Sequence, residues 1–159
     1  MGNHEWLLTE NQKLELDDGL IRAGIRILNN EEVQIESENE KIRIIGLDDN
    51  SLHNESLREI LGEDTAFNIV LAHEPQYIDN YAKAKADLVL TGHAHGGQFR
   101  IPGVGGLVAP NQGIFPQYTE GQHHLENTDM IISRGLGNSI IPVRIMNDPE
   151  IVCVILKSE

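Results

Sequence analysis

The sequence contains 159 residues, a length that suits one domain better than two. Apolar residues make up 40% of the chain and 15 residues are glycine, a composition typical of folded globular proteins. Wholesale disorder is therefore excluded. The 25 acidic and 12 basic residues give a net charge of −13, which opposes binding to nucleic acids and to anionic lipid surfaces. We expect one folded domain without a nucleic-acid partner.

The sequence carries no signal for disulfides, export or membrane insertion. Cys153 is the single cysteine, so the chain cannot form an intrachain disulfide. No stretch approaches the roughly 18 apolar residues of a membrane-spanning helix. Residues 1–5 lack the basic and apolar regions of a signal peptide. The default expectation is a cytoplasmic location, unless a preceding segment carries an anchor or an export signal.

The first third of the chain predicts helices that alternate with short strands. The predicted elements are, in chain order, a helix from a capping box at Thr9–Gln12 to a stop at Gly24, a strand at Ile25–Leu28, a hairpin of Val33–Ser37 and Lys41–Leu47, and a helix at Ser51–Leu61.

The middle of the chain predicts a β-α-β unit. Phe67–Leu71 and Asp87–Leu90 have the composition of buried strands, and a helix from Pro75 to about Ala84 lies between them. This order predicts parallel strand pairing in a sheet that is covered by helices. A Gly- and Pro-rich region follows, and the remaining predicted strands are Gln122–Leu125, Asp129–Ser133, Val143–Met146 and Ile151–Leu156. The fold class indicated is a layered α/β sandwich.

Histidines follow two of the predicted parallel strands. His73 comes just after Phe67–Leu71, and His93 and His95 come just after Asp87–Leu90. Ligands of open α/β sheets bind beyond the carboxyl ends of the strands, so these imidazoles are expected to share one crevice. The flanking glycines of Gly92–Gly97 permit a sharp backbone path between His93 and His95. Imidazole ligands suit Zn, Mn, Fe or Ni, so a metal site is favoured over a merely polar loop.

The chain start has a similar chemical character. The side-chain carbonyl of Asn3 is a hard, neutral metal ligand, and His4 beside the carboxylate of Glu5 is a candidate general acid. A terminus with an idle histidine is the alternative for this segment taken alone.

Other polar residues have two interpretations each. Asp48 and Asp49 close a predicted strand and either line the crevice or form a solvated turn, with the turn favoured. Arg134 either binds a phosphate or pairs with one of the many carboxylates. Three further histidines are expected at the surface, namely His53, His123 and His124. Cys153, in an apolar strand, is expected to be an inert core thiol.

Three blocks of sequence carry a family resemblance. They are residues 2–5 (Gly-Asn-His-Glu), 71–75 (Leu-Ala-His-Glu-Pro) and 92–98 (Gly-His-Ala-His-Gly-Gly-Gln). In order and spacing they resemble the last three signature blocks of the calcineurin-like metallophosphoesterases, and residues 133–137 and 147–151 resemble that family's closing strands. The resemblance covers essentially the whole chain. It implies an α/β/β/α sandwich in which residues 1–159 form a single domain.

The resemblance also implies a reaction and a set of metal ligands. Members of the family hydrolyse phosphate esters with two divalent metal ions, here Mn, Fe, Zn or Ni. By resemblance, Asn3, His73 and His93 bind one ion and His95 binds the other. Two such ions generate hydroxide at neutral pH and hold both oxygens of an in-line displacement.

The resemblance assigns the acid catalysis to the first block. His4 would protonate the leaving oxygen of the phosphate ester, and Glu5 would orient the His4 ring. Arg134 is the candidate for substrate binding, because its guanidinium can engage two phosphate oxygens.

Two of the family's blocks do not occur in the sequence. There is no Asp-x-His and no Gly-Asp dipeptide, although these blocks would supply the bridging Asp and two ligands of one metal. The sequence is therefore interpreted as the C-terminal part of such an enzyme, truncated at the N-terminus and lacking that fold's N-terminal strands. An exposed apolar sheet edge is then expected to cause self-association.

Two other functional classes are alternatives to the enzyme. One is a catalytically inactive remnant that binds one metal or a protein partner. The other is a structural zinc module, which is disfavoured because such sites use closed four-ligand sets of Cys and His, and Cys153 lies far from the histidine blocks.

Overall fold

The computed structural model of the chain describes residues 2–37, 40–49, 56–62, 66–139 and 142–157. Its main feature is a six-stranded mixed sheet accompanied by helices, which confirms the predicted α/β class. The strands are, in chain order, β1 (Glu31–Ser37), β2 (Glu40–Gly46), β3 (Phe67–Leu71), β4 (Leu88–Thr91), β5 (Arg100–Ile101), β6 (Gly105–Gly106), β7 (Val108–Ala109), β8 (Gly113–Ile114), β9 (Gly121–Leu125) and β10 (Thr128–Ile132).

The large sheet has the order β1-β2-β3-β4-β10-β9. Its four inner strands are parallel, and the two outer strands, β1 and β9, run antiparallel to their neighbours. The predicted hairpin and β-α-β unit are therefore confirmed. The four short strands outside the large sheet form two antiparallel ribbons, β5–β6 and β7–β8.

The helices match their sequence signals. They are α1 (Glu10–Arg22), α2 (Ser56–Leu61) and α3 (Ile78–Lys83), the last preceded by a 3₁₀ turn at Pro75–Tyr77. The predicted capping box at the start of α1 is present: Thr9 and Gln12 exchange backbone-to-side-chain hydrogen bonds. Residues 51–55 of the predicted second helix lie outside the described residues. In the part of the chain that is described, no helix has the length and apolar character needed to cross a membrane.

The core lies where α2 and α3 pack against the sheet. Ile45, Val70, Val89 and Met130 occupy one register row across the four parallel strands, and all four are fully buried. Tyr81 of α3 packs in the same cluster, and its hydroxyl donates a hydrogen bond of 2.7 Å to the backbone carbonyl of Glu74. This packing fixes the sheet whose carboxyl edge carries the polar residues described below.

Three strand predictions are wrong. Ile25–Leu28 is not paired with another strand, and Leu28 instead contacts the backbone of Gly46. Val143–Met146 forms only one bridge, between Ile145 and Phe99, and Ile151–Leu156 forms no strand. Their β-branched composition favours strands, but a strand also needs a neighbour to satisfy its backbone hydrogen bonds. No such neighbour lies among the described residues.

Candidate metal centre

The loops that follow β2, β3 and β4 lie side by side at the carboxyl edge of the sheet. Backbone pairing continues past the strand ends: the Leu47 amide donates to the Leu71 carbonyl at 2.9 Å, and the Gly92 amide donates to the His73 carbonyl at 3.2 Å. His73 and the loop that carries His93 are therefore held next to each other. The sequence placed both histidines at this edge, and the structure brings them together.

Three side-chain atoms converge at this edge. The Nε2 atom of His73 lies 2.9 Å from Oδ1 of Asn3 and 2.9 Å from Nδ1 of His93. Two ligands that bind one cation at roughly 2.1 Å and at right angles lie about 3.0 Å apart. Both distances from Nε2 of His73 thus fit pairs of ligands on one divalent cation. Among the described residues, no three side chains of His, Cys, Asp or Glu lie together in a way that could hold a metal ion. The cluster here has two imidazole nitrogens, and its third donor is the amide oxygen of Asn3.

The protonation of the two imidazoles suits metal binding. Burial, together with the nearby imidazoles of His93, His95 and His4, lowers the pKa of His73 from 6.5 to about 4. Burial also lowers the pKa of His93, although the carboxylate of Glu74 opposes this shift. Both rings are then neutral at pH 7, which is the form that binds metal ions.

Glycine allows the N-terminal segment to approach His73. A Cβ atom on Gly2 would lie 2.8 Å from Cε1 of the His73 ring, so a larger residue would displace the segment. The Gly2 amide donates a hydrogen bond of 2.8 Å to the Glu5 carboxylate. The hydrogen bond found for Glu5 therefore runs to the backbone and not to His4, and the orienting role of Glu5 stays a prediction.

The loop from Gly92 to Gln98 follows a strained backbone path. His93 and His95 both have positive φ angles, 59° and 47°, which non-glycine residues rarely adopt. Asn147 holds this loop from outside: its Nδ2 atom donates to the carbonyls of His95 at 2.6 Å and of Gln98 at 3.2 Å. Sequence reasoning missed this role, although Asn147 begins one of the closing blocks.

His95 lies beside His4 and outside the three-atom cluster. The two rings stack with their centroids 5.9 Å apart. Burial and the positive charge of Arg144 lower the pKa of His95. The structure thus places Asn3, His73 and His93 in one cluster and stacks His4 on His95. The metal-binding role of His95 and the acid role of His4 stay predictions.

Glu74 is a buried carboxylate that sequence reasoning did not single out. Its Oε1 atom accepts hydrogen bonds from Asn111 at 2.7 Å and from Gln76 at 2.9 Å. The same atom lies 3.7 Å from Nε2 of His93, a buried nitrogen with no hydrogen-bond partner among the described residues. The ring of His93 therefore points one nitrogen to the cluster and the other to a carboxylate. Metal-binding histidines commonly have this arrangement.

Arg134 pairs with carboxylates. Its Nε atom lies 3.4 Å from Glu120, and its Nη2 atom lies 3.4 Å from Glu150. The Arg134 amide also donates to the Glu150 carboxylate at 3.1 Å. Of its two interpretations, the geometry favours structural pairing, and substrate binding by Arg134 stays a prediction.

The remaining candidates make no contact with the cluster among the interactions of the described residues. Asp48 is buried in the loop that follows β2, so the expected solvated turn is wrong at this residue. His124 is exposed beside Asp129, as expected, and His123 contacts Tyr118. Cys153 is exposed and not in the core, and its segment pairs with no strand in the described part of the chain. His53 lies outside the described residues.

Comparison with known proteins finds several relatives that are named metallophosphoesterases. The chain is 38% identical over 120 residues to the uncharacterized metallophosphoesterase YkuE of Bacillus subtilis, which covers 74% of this chain and 41% of that protein. It is 30% identical over 151 residues to the uncharacterized metallophosphoesterase YkoQ of the same organism, covering 94% and 56% of the two chains. Phosphodiesterase YaeI of Escherichia coli is 29% identical over 150 residues, covering 94% and 54%.

The mixed α/β sheet is consistent with a metallophosphoesterase-type fold. The chain belongs to the calcineurin-like metallophosphoesterase family. It spans about half the length of the curated relatives it matches. No family model matches the sequence, and no solved structure matches it.

Proposed function

We propose that the chain takes part in the metal-dependent hydrolysis of a phosphate ester at a dinuclear centre. Asn3, His73 and His93 hold one divalent ion, which is Mn, Fe, Zn or Ni, and His95 contributes to the second. The observation that carries this proposal is that Nε2 of His73 lies 2.9 Å from both the Asn3 amide oxygen and Nδ1 of His93. The metallophosphoesterase relatives support the same reaction class.

Each residue has a defined task in this proposal. Bound divalent ions supply a nucleophile at neutral pH and offset the charge of the phosphate, which a chain of net charge −13 would otherwise repel. His4, which stacks on His95, donates a proton to the leaving oxygen. Glu74 keeps the His93 ring oriented through the nitrogen that does not face the cluster.

The centre needs a bridging carboxylate that the described cluster does not contain. We infer that the chain supplies one part of a larger active site, whose carboxylate ligands come from Asp-x-His and Gly-Asp blocks. The 159-residue chain by itself is then expected to turn over an aryl phosphate at a rate near background. Acid catalysis by His4 alone would supply about 10²–10⁴-fold, which is below the 10⁶-fold or more that is usual for enzymes.

The experiment compares the chain with a version extended upstream by both carboxylate blocks. Hydrolysis of an aryl phosphate and of an aryl phosphodiester is measured with and without Mn²⁺. We expect Mn²⁺-dependent turnover only in the extended version, with loss of turnover in His93→Ala and no change in His124→Ala, which alters an exposed histidine. Robust turnover by the short chain would refute the need for added carboxylates. Inactivity of the extended version, despite bound metal, would refute the proposed reaction.

A second candidate is a non-catalytic protein that binds one metal or a protein partner. The exposed apolar side chains between residues 151 and 156 favour an association surface there. This candidate predicts metal binding and association without turnover in either version.

A further inference from the structure

Arg144 is a second arginine near the candidate centre, and its guanidinium is fixed on one side only. Its Nη2 atom donates hydrogen bonds to the backbone carbonyl of Arg134, at 2.9 Å, and to that of Gly137. Both acceptors belong to the turn that follows β10. The side chain is therefore held in one orientation without any carboxylate.

The other nitrogens of this guanidinium lack acceptors. The Nε and Nη1 atoms of Arg144 are buried and have no hydrogen-bond partner among the described residues. An arginine carries five N–H donors, so three of them, one on Nε and two on Nη1, remain unsatisfied here. Buried N–H donors without an acceptor carry a free-energy cost, and a bound anion would remove that cost.

Arg134 provides the contrast within the same loop. Its guanidinium lies within ion-pair distance of Glu120 and Glu150, so its charge is already balanced. No described carboxylate forms an ion pair with Arg144. The chain has 25 acidic residues, yet this guanidinium has no carboxylate partner among the described residues. This indicates a binding site for an anionic ligand.

The position of Arg144 places this charge beside the His4–His95 pair. The carbonyl of Gly137 accepts a hydrogen bond from Arg144, and the backbone of Gly137 also lies close enough to His95 to raise the pKa of that ring. The positive charge of Arg144 is also one cause of the lowered pKa of His95. The His95 ring in turn stacks on His4.

We propose that Arg144 is the residue that binds the non-bridging oxygens of the substrate phosphate, and that Arg134 has a structural role. The inference rests on the proposed function and deepens it by defining the ligand as a phosphoryl group with anionic oxygens. Charge-assisted hydrogen bonds from a guanidinium to phosphate are short and strong, so Arg144 binds a phosphate more tightly than a neutral donor would.

The test measures binding of inorganic phosphate to the 159-residue chain by isothermal titration calorimetry, with and without Mn²⁺. Arg144→Gln removes the charge but keeps an amide that can donate to a carbonyl of the loop. We expect its phosphate affinity to fall by about 10-fold to 100-fold in both conditions. Its Mn²⁺ affinity is expected to stay the same or to rise, because a positive charge beside the metal ligands has been removed.

Two further variants make the result decisive. Arg22→Ala removes one charge from an exposed ion pair with Asp18 on α1 and is expected to leave phosphate binding unchanged. Arg134→Ala tests the competing assignment. Equal phosphate affinity of Arg144→Gln and the unaltered chain, or a greater loss in Arg134→Ala, would overturn the inference. Absence of phosphate binding by the unaltered chain would overturn it too. Failure of Mn²⁺ binding alone would refute the dinuclear proposal, while the metal-free phosphate titration would still test Arg144.

Discussion

The Nε2 atom of His73 lies 2.9 Å from the Oδ1 atom of Asn3, although 70 residues separate them in the chain. The same Nε2 atom lies 2.9 Å from Nδ1 of His93. One ring N–H cannot donate to both neighbours at once, so hydrogen bonding within the protein leaves one of these contacts unsatisfied. A cation at the meeting point would satisfy all three atoms.

The stability of the metal-free chain should depend on pH through His73. Its pKa is about 4 in the folded chain and 6.5 as the ordinary value, because burial and the neighbouring His93, His95, His4 and N-terminal amine disfavour its charged form. The unfolded chain therefore binds the proton more tightly. The contribution of the neutral His73 ring to the free energy of unfolding is fully present above pH 6.5 and is lost as the pH falls toward 4.

The size of this loss can be bounded. The lowering of the His73 pKa corresponds to about 3 kcal/mol. Solvent screening of the half-buried ring reduces the expected loss in the free energy of unfolding to about 2 kcal/mol. The free energy of unfolding should be measured by urea titration with a chelator present, at several pH values. His73→Gln should flatten the profile over this range, and an unchanged slope in that variant would contradict the assignment.

Glu74 should affect metal affinity through His93. Removing the carboxylate with Glu74→Ala takes away the group 3.7 Å from Nε2 of His93, and we expect Mn²⁺ affinity to fall about tenfold. Glu74→Gln keeps an acceptor oxygen and should lose less. Glu36→Ala, which removes an exposed carboxylate paired with Lys41, serves as the charge control. Equal losses in Glu74→Ala and Glu36→Ala would show that only net charge matters.

A methyl group at Gly96 should destabilise the histidine loop. A Cβ atom there would lie 2.1 Å from Oδ1 of Asn147, and the residue has a φ of 67°. We expect Gly96→Ala to lower the free energy of unfolding by about 2 kcal/mol. Gly19→Ala is the matched control: it lies in α1 with nothing within 4 Å, and should raise stability by about 0.5–1 kcal/mol. Equal stability of the two variants would contradict the described packing of the loop.

Self-association of the chain should depend on the segment from residue 151 to residue 156. Ile151 is 82% exposed and Ile155 is 75% exposed. We expect the double variant Ile151→Glu, Ile155→Glu to sediment as a smaller species than the unaltered chain at equal concentration. The control is Ile114→Glu, Phe115→Glu, which places the same charges on another exposed apolar pair. A monomeric unaltered chain would contradict the prediction.

The parts of the fold with local signals could be predicted from the sequence. The capping box fixed the start of α1, and the β3–α3–β4 unit followed from two apolar runs separated by a Pro-initiated helix. Because parallel strands end at the same edge, the placement of His73 and His93 followed as well.

The parts that depend on long-range contacts could not be predicted. Ile151–Leu156 has the composition of a strand, but its pairing depends on a neighbour that its own residues do not encode. The contact of Glu74 with Asn111 joins residues 37 positions apart, and that of Asn147 with His95 joins residues 52 positions apart. Such side-chain contacts are set by tertiary packing and leave no periodic pattern in the sequence.

The most direct test of the metal centre is Mn²⁺ binding to the 159-residue chain, measured by isothermal titration calorimetry. We expect that the unaltered chain binds Mn²⁺ and that His73→Ala and His93→Ala each weaken binding by about tenfold or more. His124→Ala, at an exposed histidine paired with Asp129, should bind as the unaltered chain does. Binding that is equal in all four proteins, or absent from the unaltered chain, would contradict the central claim that Asn3, His73 and His93 hold one metal ion.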